Sequence, residues 1–308
     1  MRAFVFAVVL VALCASLLGA CGDDDGGGGE GEQATVRVQD TAGVPSAFLE
    51  YGVEEGFFKD RQLDVQVTPS QGGATVVPAV IAGDTDIGGS NLVSVLLAQS
   101  KDVPVEIVAP GTFVRGTREQ DFSAILVPGD SDIRSPKDLE GKTLAVNTLK
   151  NVAELTAKAS LAKQGVDVST IELAEVDFPD MNGALAQGRV DAAFQIEPFV
   201  SLGLKEGHRI VDRPYVGTKP GLQIGCYFTS ERYQAENEDV VERFQQGLAD
   251  TAEAIERNPA AFRKFLPEAS EIPPPAAENA VLPTWKAEND QASLDLTEEL
   301  MDRYGVAQ

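Results

Sequence analysis

From position 35 onward, short apolar runs alternate with stretches whose apolar residues recur every three or four positions. This is the pattern of strands alternating with amphipathic helices in an α/β protein of parallel type. Strands are expected over 35–38, 63–68, 85–88 and 105–109, with helices over 46–54, 74–82 and 92–100 between them. The same order then returns. Strands are expected over 124–127, 143–146, 171–176 and 192–195, and helices over 152–164, 181–187 and 198–205. Gly165 is placed to end the first of these helices in a left-handed cap. Beyond Cys226 the pattern turns mainly helical: an amphipathic segment over 239–257 ends at Asn258-Pro259, a proline-rich connection covers 267–275, and a last helix covers 292–304.

Within this pattern lies an internal repeat. AVIAGDTDIG (79–88) aligns without gaps on ALAQGRVDAA (184–193), so that Ala79 matches Ala184, Val80 Leu185, Gly83 Gly188 and Asp86 Asp191. In each copy a helix buries an aliphatic face, a glycine ends it, and an aspartate precedes a buried strand. Two such units suggest two similarly built lobes.

The amino terminus changes the picture of where the protein works. Met1-Arg2 gives a short positive start, 3–18 is almost wholly apolar, and Gly19-Ala20 leads into Cys21. This is a secretory signal over 1–20, too short for a comfortable membrane span. The string LLGAC resembles a bacterial lipobox, in which Cys21 becomes the acylated first residue. Residues 21–33 then read as the lipidated cysteine and a flexible tether, because GDDDGGGGEGEQ has nothing to bury. The expected localisation is extracytoplasmic, with lipid on Cys21 as the sole membrane attachment.

The full chain of 308 residues carries a formal net charge of −23, which argues against nucleic-acid partners and anionic membrane surfaces. Of its three cysteines, Cys14 leaves with the signal and Cys21 is the acyl site. Cys226, inside the apolar run IGCYF, is left without a disulfide partner and reads as a small core residue. The sole histidine, His208, follows a helix-ending Gly207 and reads as an exposed structural residue. One histidine and one ordinary cysteine supply neither a zinc site nor a Cys/His pair, and no GxSxG, phosphate-loop or GxGxxG signature follows a suitable strand. No catalytic residue, metal or cofactor is therefore expected.

The segments EEGFFKDRQLDVQV, QGGATVVPAVIAGDTDIGGSN, AVNTLKNVAEL and DMNGALAQGRVDAAFQIEPFV together resemble the nitrate/sulfonate/taurine-type substrate-binding proteins of ABC transporters. That superfamily also contains thiamine-precursor binders. The resemblance is close over 36–200 and loose in the helical C-terminal third. It implies a type II periplasmic-binding fold, two α/β lobes joined by a two-crossing hinge. Lobe 1 would span 34–120 and 223–308, lobe 2 would span 121–222, and the crossings would lie near 113–123 and 222–228. It further implies a monomer that binds a nitrate, sulfonate, taurine or thiamine-precursor type of solute between the lobes and hands it to a permease and its ATPase. A transporter-independent sensory domain is the neighbouring reading. A pyrimidine-synthase-like enzyme on the same scaffold is the other, although the iron-linked cysteines and histidines of such enzymes are absent here.

Physical reasoning points to the same loops. Ligands of open α/β sheets sit beyond the carboxyl ends of strands, where helix N-termini present free N–H groups. The candidates are Pro45 and Ser46 after the first strand, and Gln71, Gly72, Gly73, Ala74 and Thr75 after the second. Ser90 and Asn91 follow the third, and Asn147, Thr148, Asn151 and Val152 follow the strand at 143–146. Glu197 and Phe199 follow the strand at 192–195, and Phe113 lies at the first crossing. Gly72-Gly73 fits a plain turn as well as a ligand contact. Ser90 and Asn91 fit helix caps, and Glu197 fits either a helix start or a ligand partner. Phe113 and Phe199 fit core positions as well as an aromatic wall, and Lys150 and Arg115 are candidate anion partners.

Overall fold

The computed structural model describes residues 33–306; the expected signal segment, Cys21 and nearly all of the expected tether lie outside them. In chain order the first elements are β1 (Ala34–Thr41), α1 (Val44–Glu54), β2 (Leu63–Ser70), α2 (Gly73–Ala82), β3 (Ile87–Asn91), α3 (Leu92–Gln99), β4 (Val105–Pro110) and β5 (Thr112–Phe113). Then come β6 (Ser123–Val127), β7 (Thr143–Val146), α4 (Val152–Lys163), β8 (Glu172–Glu175), α5 (Phe178–Ala186), β9 (Ala192–Ile196), α6 (Phe199–Lys205), β10 (Arg209–Asp212) and α7 (Pro214–Thr218). The chain ends with β11 (Gly225–Ser230), α8 (Glu231–Glu236), α9 (Glu238–Arg257), α10 (Pro259–Ala269), α11 (Pro274–Ala277), β12 (Thr284–Trp285) and α12 (Gln291–Arg303).

Two five-stranded sheets organise these elements, one in each lobe, in the orders β2-β1-β3-β11-β4 and β8-β7-β9-β6-β10; β5 and β12 form a small third ladder. The two orders are the same arrangement. Three parallel strands come first, one antiparallel strand follows, and a last strand is again aligned with the first three. The parallel-type pattern expected from the sequence accounts for the first three strands of each sheet, and one antiparallel strand makes both sheets mixed. Connectivity gives the reason. The chain leaves the first sheet at the carboxyl end of β4 and enters the second through β6, and it returns through β11. A strand entered from the end at which its neighbours finish must run against them. The antiparallel member of each sheet is therefore the first strand after a crossing.

The repeat seen in the sequence has a structural counterpart. Gly83 and Gly188 both take left-handed backbone angles just past their helices, with φ of 78° and 64°. The carboxylate of Asp86 accepts the Arg37 N–H of β1 at 2.8 Å, while its own N–H donates to the Arg37 carbonyl at 2.9 Å. Asp191 does the same to Thr143 of β7, at 2.9 and 3.0 Å. Each aspartate thereby fixes where the third strand docks on the first.

The helical C-terminal third packs largely on the first lobe. The amphipathic α9 buries Val241, Phe244, Leu248 and Ile255, and the Phe244 ring stacks on Phe58 at 5.4 Å. Each fully buried ring of this kind contributes about 1.5–3 kcal/mol. The proline-rich stretch expected as a connection is partly helical. α10 runs through Pro267 to Ala269, because Phe262 and Leu266 are anchored in the core, and α11 begins at Pro274. The sequence reading also missed β5, β10, β12, α7 and α8, and it missed β11, which occupies much of the stretch expected as the second crossing; the existence of these elements depends on partners remote in the chain.

The two repeat aspartates differ in burial, Asp86 being buried and Asp191 exposed. Asp86→Ala should lower the unfolding free energy by about 1–3 kcal/mol, the usual cost of orphaning a buried partner. Asp191→Ala should cost under about 1 kcal/mol. Denaturant titration of both variants checks this, and equal losses would count against the clamp.

Candidate ligand-binding cleft

The carboxyl ends of the parallel strands in both sheets face one narrow cleft. From the first sheet, Asp40 and Thr41 close β1, Ser90 and Asn91 close β3, and Cys226 and Tyr227 come from the antiparallel β11. Pro45 of α1 and the Gly111-Thr112 turn complete that wall. The facing wall belongs to the second lobe: Phe122, Asn147, Val152, Phe178, Ile196 and Tyr215. The Phe122 and Phe194 rings lie 5.1 and 5.4 Å from that of Tyr215, so Tyr215 is held in an aromatic cluster.

Local sequence explains the positions. Gly43 adopts φ of 112° between β1 and α1, an angle that suits glycine. A Cβ there would come within 3.0 Å of the Glu197 carbonyl across the interface. In β3, Gly89 lies against Asp40 so closely that a Cβ would fall 2.2 Å from the aspartate Cγ. Asn91 caps α3 by accepting the Ser94 N–H at 3.0 Å, and Asn151 caps α4 by accepting the Ala153 N–H at 2.9 Å.

Asp40 is the one ionised-type side chain on the cleft wall and is only 3 % exposed. Its carboxylate accepts the Thr41 N–H at 2.7 Å. Burial pushes its pKa from the ordinary carboxylate value of 3.8 up to about 7, against the pull of the Thr41 N–H and the nearby Tyr227 hydroxyl. No lysine, arginine or histidine stands on the wall to neutralise it. The Ser90 hydroxyl, 5 % exposed on the same wall, has no hydrogen-bond partner among the described residues.

Of the residues singled out from sequence, Pro45, Ser90, Asn91, Asn147 and Val152 meet at this cleft. Gln71 stands at its rim, where its carbonyl accepts the Asn147 Nδ2–H at 2.8 Å and its side chain donates to Asp177, bridging the lobes. Thr75 bonds to the Gly72 carbonyl, and Gly73 packs beneath Ser94 and Ser90, so Gly72, Gly73, Ala74 and Thr75 shape a turn beside the cleft. Ser46 turns back to the Gly43 carbonyl. Thr148 and Asn151 bond to one another behind Asn147, whose Oδ1 also accepts from Asn151 at 3.0 Å.

Glu197, Phe199 and Phe113 lie elsewhere. The buried Glu197 carboxylate accepts the Ser201 N–H and hydroxyl at 3.0 Å each and the Val281 N–H at 3.1 Å, and its carbonyl accepts the Val44 N–H. Phe199 is buried at the start of α6, and Phe113 lies under the Lys286 ammonium at 4.4 Å. Arg115 is engaged by Glu256 and two carbonyls away from the cleft. His208 is buried rather than exposed, at 8 %, because the helix-ending turn folds it inward. Cys226 is in the core as expected, but it also reaches the cleft, where burial and the charge of Asp40 raise its thiol pKa. Among the described residues no cluster of side chains could hold a metal ion.

Asp40, Thr112, Phe122, Phe178, Tyr215 and Tyr227 were not read as site residues. Asp40 did leave a signal. In ATVRVQDT it occupies the inward phase of the strand shared by Val36 and Val38, where a carboxylate is out of place.

The NMT1/THI5 like family matches residues 46–262 of this chain. The taurine-binding periplasmic protein of Escherichia coli (strain K12) is 24% identical over 230 residues, 75% of this chain and 68% of its own. The formylaminopyrimidine-binding protein of Halalkalibacterium halodurans is 24% identical over 258 residues, 82% of this chain and 76% of its own. Among solved structures, the alkanesulfonate-binding protein SsuA from Xanthomonas axonopodis pv. citri, bound to MOPS, superposes with a TM-score of 0.74 at 22% identity, covering 90% of this chain and 94% of its own.

The raised Asp40 value has a consequence for stability. Between about pH 4 and 7 the folded chain holds a proton that the unfolded chain has lost, so stability is full below pH 4 and declines as pH rises toward 7. At 1.36 kcal/mol per unit the penalty reaches up to about 4 kcal/mol. Asp40→Asn, which keeps the acceptor for Thr41, should therefore stabilise the ligand-free protein by about 1–4 kcal/mol at pH 8 and leave it unchanged at pH 4. Urea unfolding at the two pH values checks this; the same difference at both would refute the assignment. Glu50, also pushed up to about 7 by burial, adds a background trend that the variant leaves in place.

Proposed function

Because the chain belongs to the NMT1/THI5-like family, we propose that it is an extracytoplasmic solute-binding lipoprotein that delivers its ligand to an ABC importer. The observation that carries this reading is a cleft walled by both sheets and bridged across its rim by Asn147 and Gln71. A solute there touches both walls only while the lobes are together, so binding shifts the population toward the closed form, which a permease can then distinguish. Residues 34–120 and 223–308 form one lobe in this reading and 121–222 the other, as the strand membership of the two sheets supports.

Lipid on Cys21 and the glycine-acid tether hold the monomer at the membrane. No helix of the described residues is long and apolar enough to cross one. The protein acts as a carrier, not as an enzyme. The Cys226 thiol is buried with a raised pKa, which withholds the thiolate, and His208 does not line the cleft. The solute class is that of the relatives: a taurine- or sulfonate-like compound or a thiamine precursor.

Two measurements test the proposal. In small-angle scattering, Asn147→Ala should enlarge the ligand-free protein, and a saturating solute should restore the compact form in the parent chain. A solute that binds without any compaction in either would sink the closure mechanism. Cys21→Ala should move the protein from the detergent phase to the aqueous phase on partitioning; persistence in detergent would reject lipid attachment at that residue.

A further inference from the structure

Resting on that solute-binding reading, we propose that the cleft selects a solute presenting an N–H donor group to the Asp40 carboxylate, as a protonated amine or an amino-substituted heterocycle, and disfavours simple oxyanions. Three observations carry the selection. First, Asp40 is 3 % exposed and faces the cleft with one backbone donor at 2.7 Å and the Tyr227 hydroxyl, whereas a carboxylate offers about four acceptor positions. With no cation on the wall, an anionic solute would be repelled by the ionised carboxylate or would have to hold it protonated, but an N–H donor would supply a further partner to the ionised form.

Second, some of the N–H groups at the helix N-termini that would hold an oxyanion are engaged already. At α1 the Val44 N–H donates to the Glu197 carbonyl, and at α3 the Leu92 and Ser94 N–H groups donate to Ile224 and Asn91. At α4 the Ala153 N–H donates to Asn151. The first turn of α2 stands beside the wall instead of on it, with its N-cap Gly72 against Thr41 and Asn147.

Third, the remaining wall suits an organic body. Phe122, Phe178 and Tyr215 give it an aromatic side facing the wall that carries Asp40. A cation held by carboxylate and aromatic faces gains from both.

The titratable groups facing Asp40 are Cys226 and Tyr227 from β11, with Tyr215 across the cleft. Burial raises the pKa of all three, so each is neutral below pH 8 and Asp40 alone changes charge there. A cationic solute binds the ionised form, so its affinity should rise with pH up to about 7 and then level off.

Matched pairs test this by calorimetry on the mature chain. Taurine is compared with isethionate, in which a hydroxyl replaces the ammonium, and 4-amino-2-methylpyrimidine with 4-methoxy-2-methylpyrimidine; nitrate is the bare oxyanion. The amino member of one pair should bind at least tenfold more tightly than its partner, and which pair responds separates an alkylamine from an amino-heterocycle. Asp40→Asn should weaken that compound by about 10- to 100-fold, the loss expected for a hydrogen bond to a charged group. In the parent chain, binding of the amino compound at pH 6 should release close to one proton, read from heats in buffers of different ionisation enthalpy; Asp40→Asn should abolish the release. Equal or tighter binding of isethionate or nitrate, or an Asp40→Asn variant that binds the amino compound undiminished, would overturn the selection while leaving the solute-binding reading intact. Binding by none of the five, together with silence in a broad solute screen, would remove both.

Discussion

A carboxylate taken out of water into an apolar cleft loses hydration worth several kcal/mol unless donors or a cation replace it. Asp40 has been taken out of water in this way, and the rest of the cleft is arranged around that fact. Gly89 lies flat against it because nothing larger fits, and the Thr41 N–H and the Tyr227 hydroxyl give partial compensation. The aromatic and aliphatic wall of the second lobe then excludes solvent from above. The closed form is therefore poorer in free energy than its contacts suggest until something in the cleft completes the set of donors. On the proposed reading, desolvation at one side chain couples lobe closure to ligand identity. This is the kind of differential interaction that a two-state binding protein requires.

The coupling needs two walls that converge on one point, and chain topology provides them. Both sheets have the same strand order, with one antiparallel strand where the chain has just crossed over. That strand has to begin at the cleft, so β11 carries Cys226 and Tyr227 to the side of Asp40, and β6 begins beside Phe122. The repeated aspartates, Asp86 and Asp191, set the height of the third strand in each sheet. They thereby set the level at which Ser90 and Ile196 meet the cleft.

Much of this framework was legible along the chain because it is written in local signals: apolar period, terminal glycines, a ten-residue repeat and cap residues. The loops beyond the carboxyl ends were found for the same reason, and Pro45, Ser90, Asn91, Asn147 and Val152 do reach the cleft. What was missed depends on contacts between distant residues. Phe122, Phe178 and Tyr215 form one wall only after the second lobe has folded, and no spacing announces them. Phe113, Phe199 and Glu197, which fit an aromatic wall and a carboxylate as well as core or helix-start positions in the sequence, lie away from the cleft, and its aromatic residues and its carboxylate are others. Asp40 could have been found, since it interrupts the inward face of β1, but a strand-like pattern invites attention to its apolar positions.

The contrast between the two buried carboxylates near the interface sharpens this point. Glu197 and Asp40 are both almost fully buried, and burial raises the pKa of both. Glu197 accepts three hydrogen bonds, including one from Val281 in the C-terminal part of the chain, and feels the charge of Arg213. Its desolvation is answered from within, so it can act as a fixed latch whatever the cleft contains. Asp40 is answered by one backbone N–H and a phenol, and it lies on the wall of the cleft. Burial alone does not separate a structural acid from a recognising one; the count of donors already spent on it does. By that count Glu197 belongs to the scaffold and Asp40 is left for the solute.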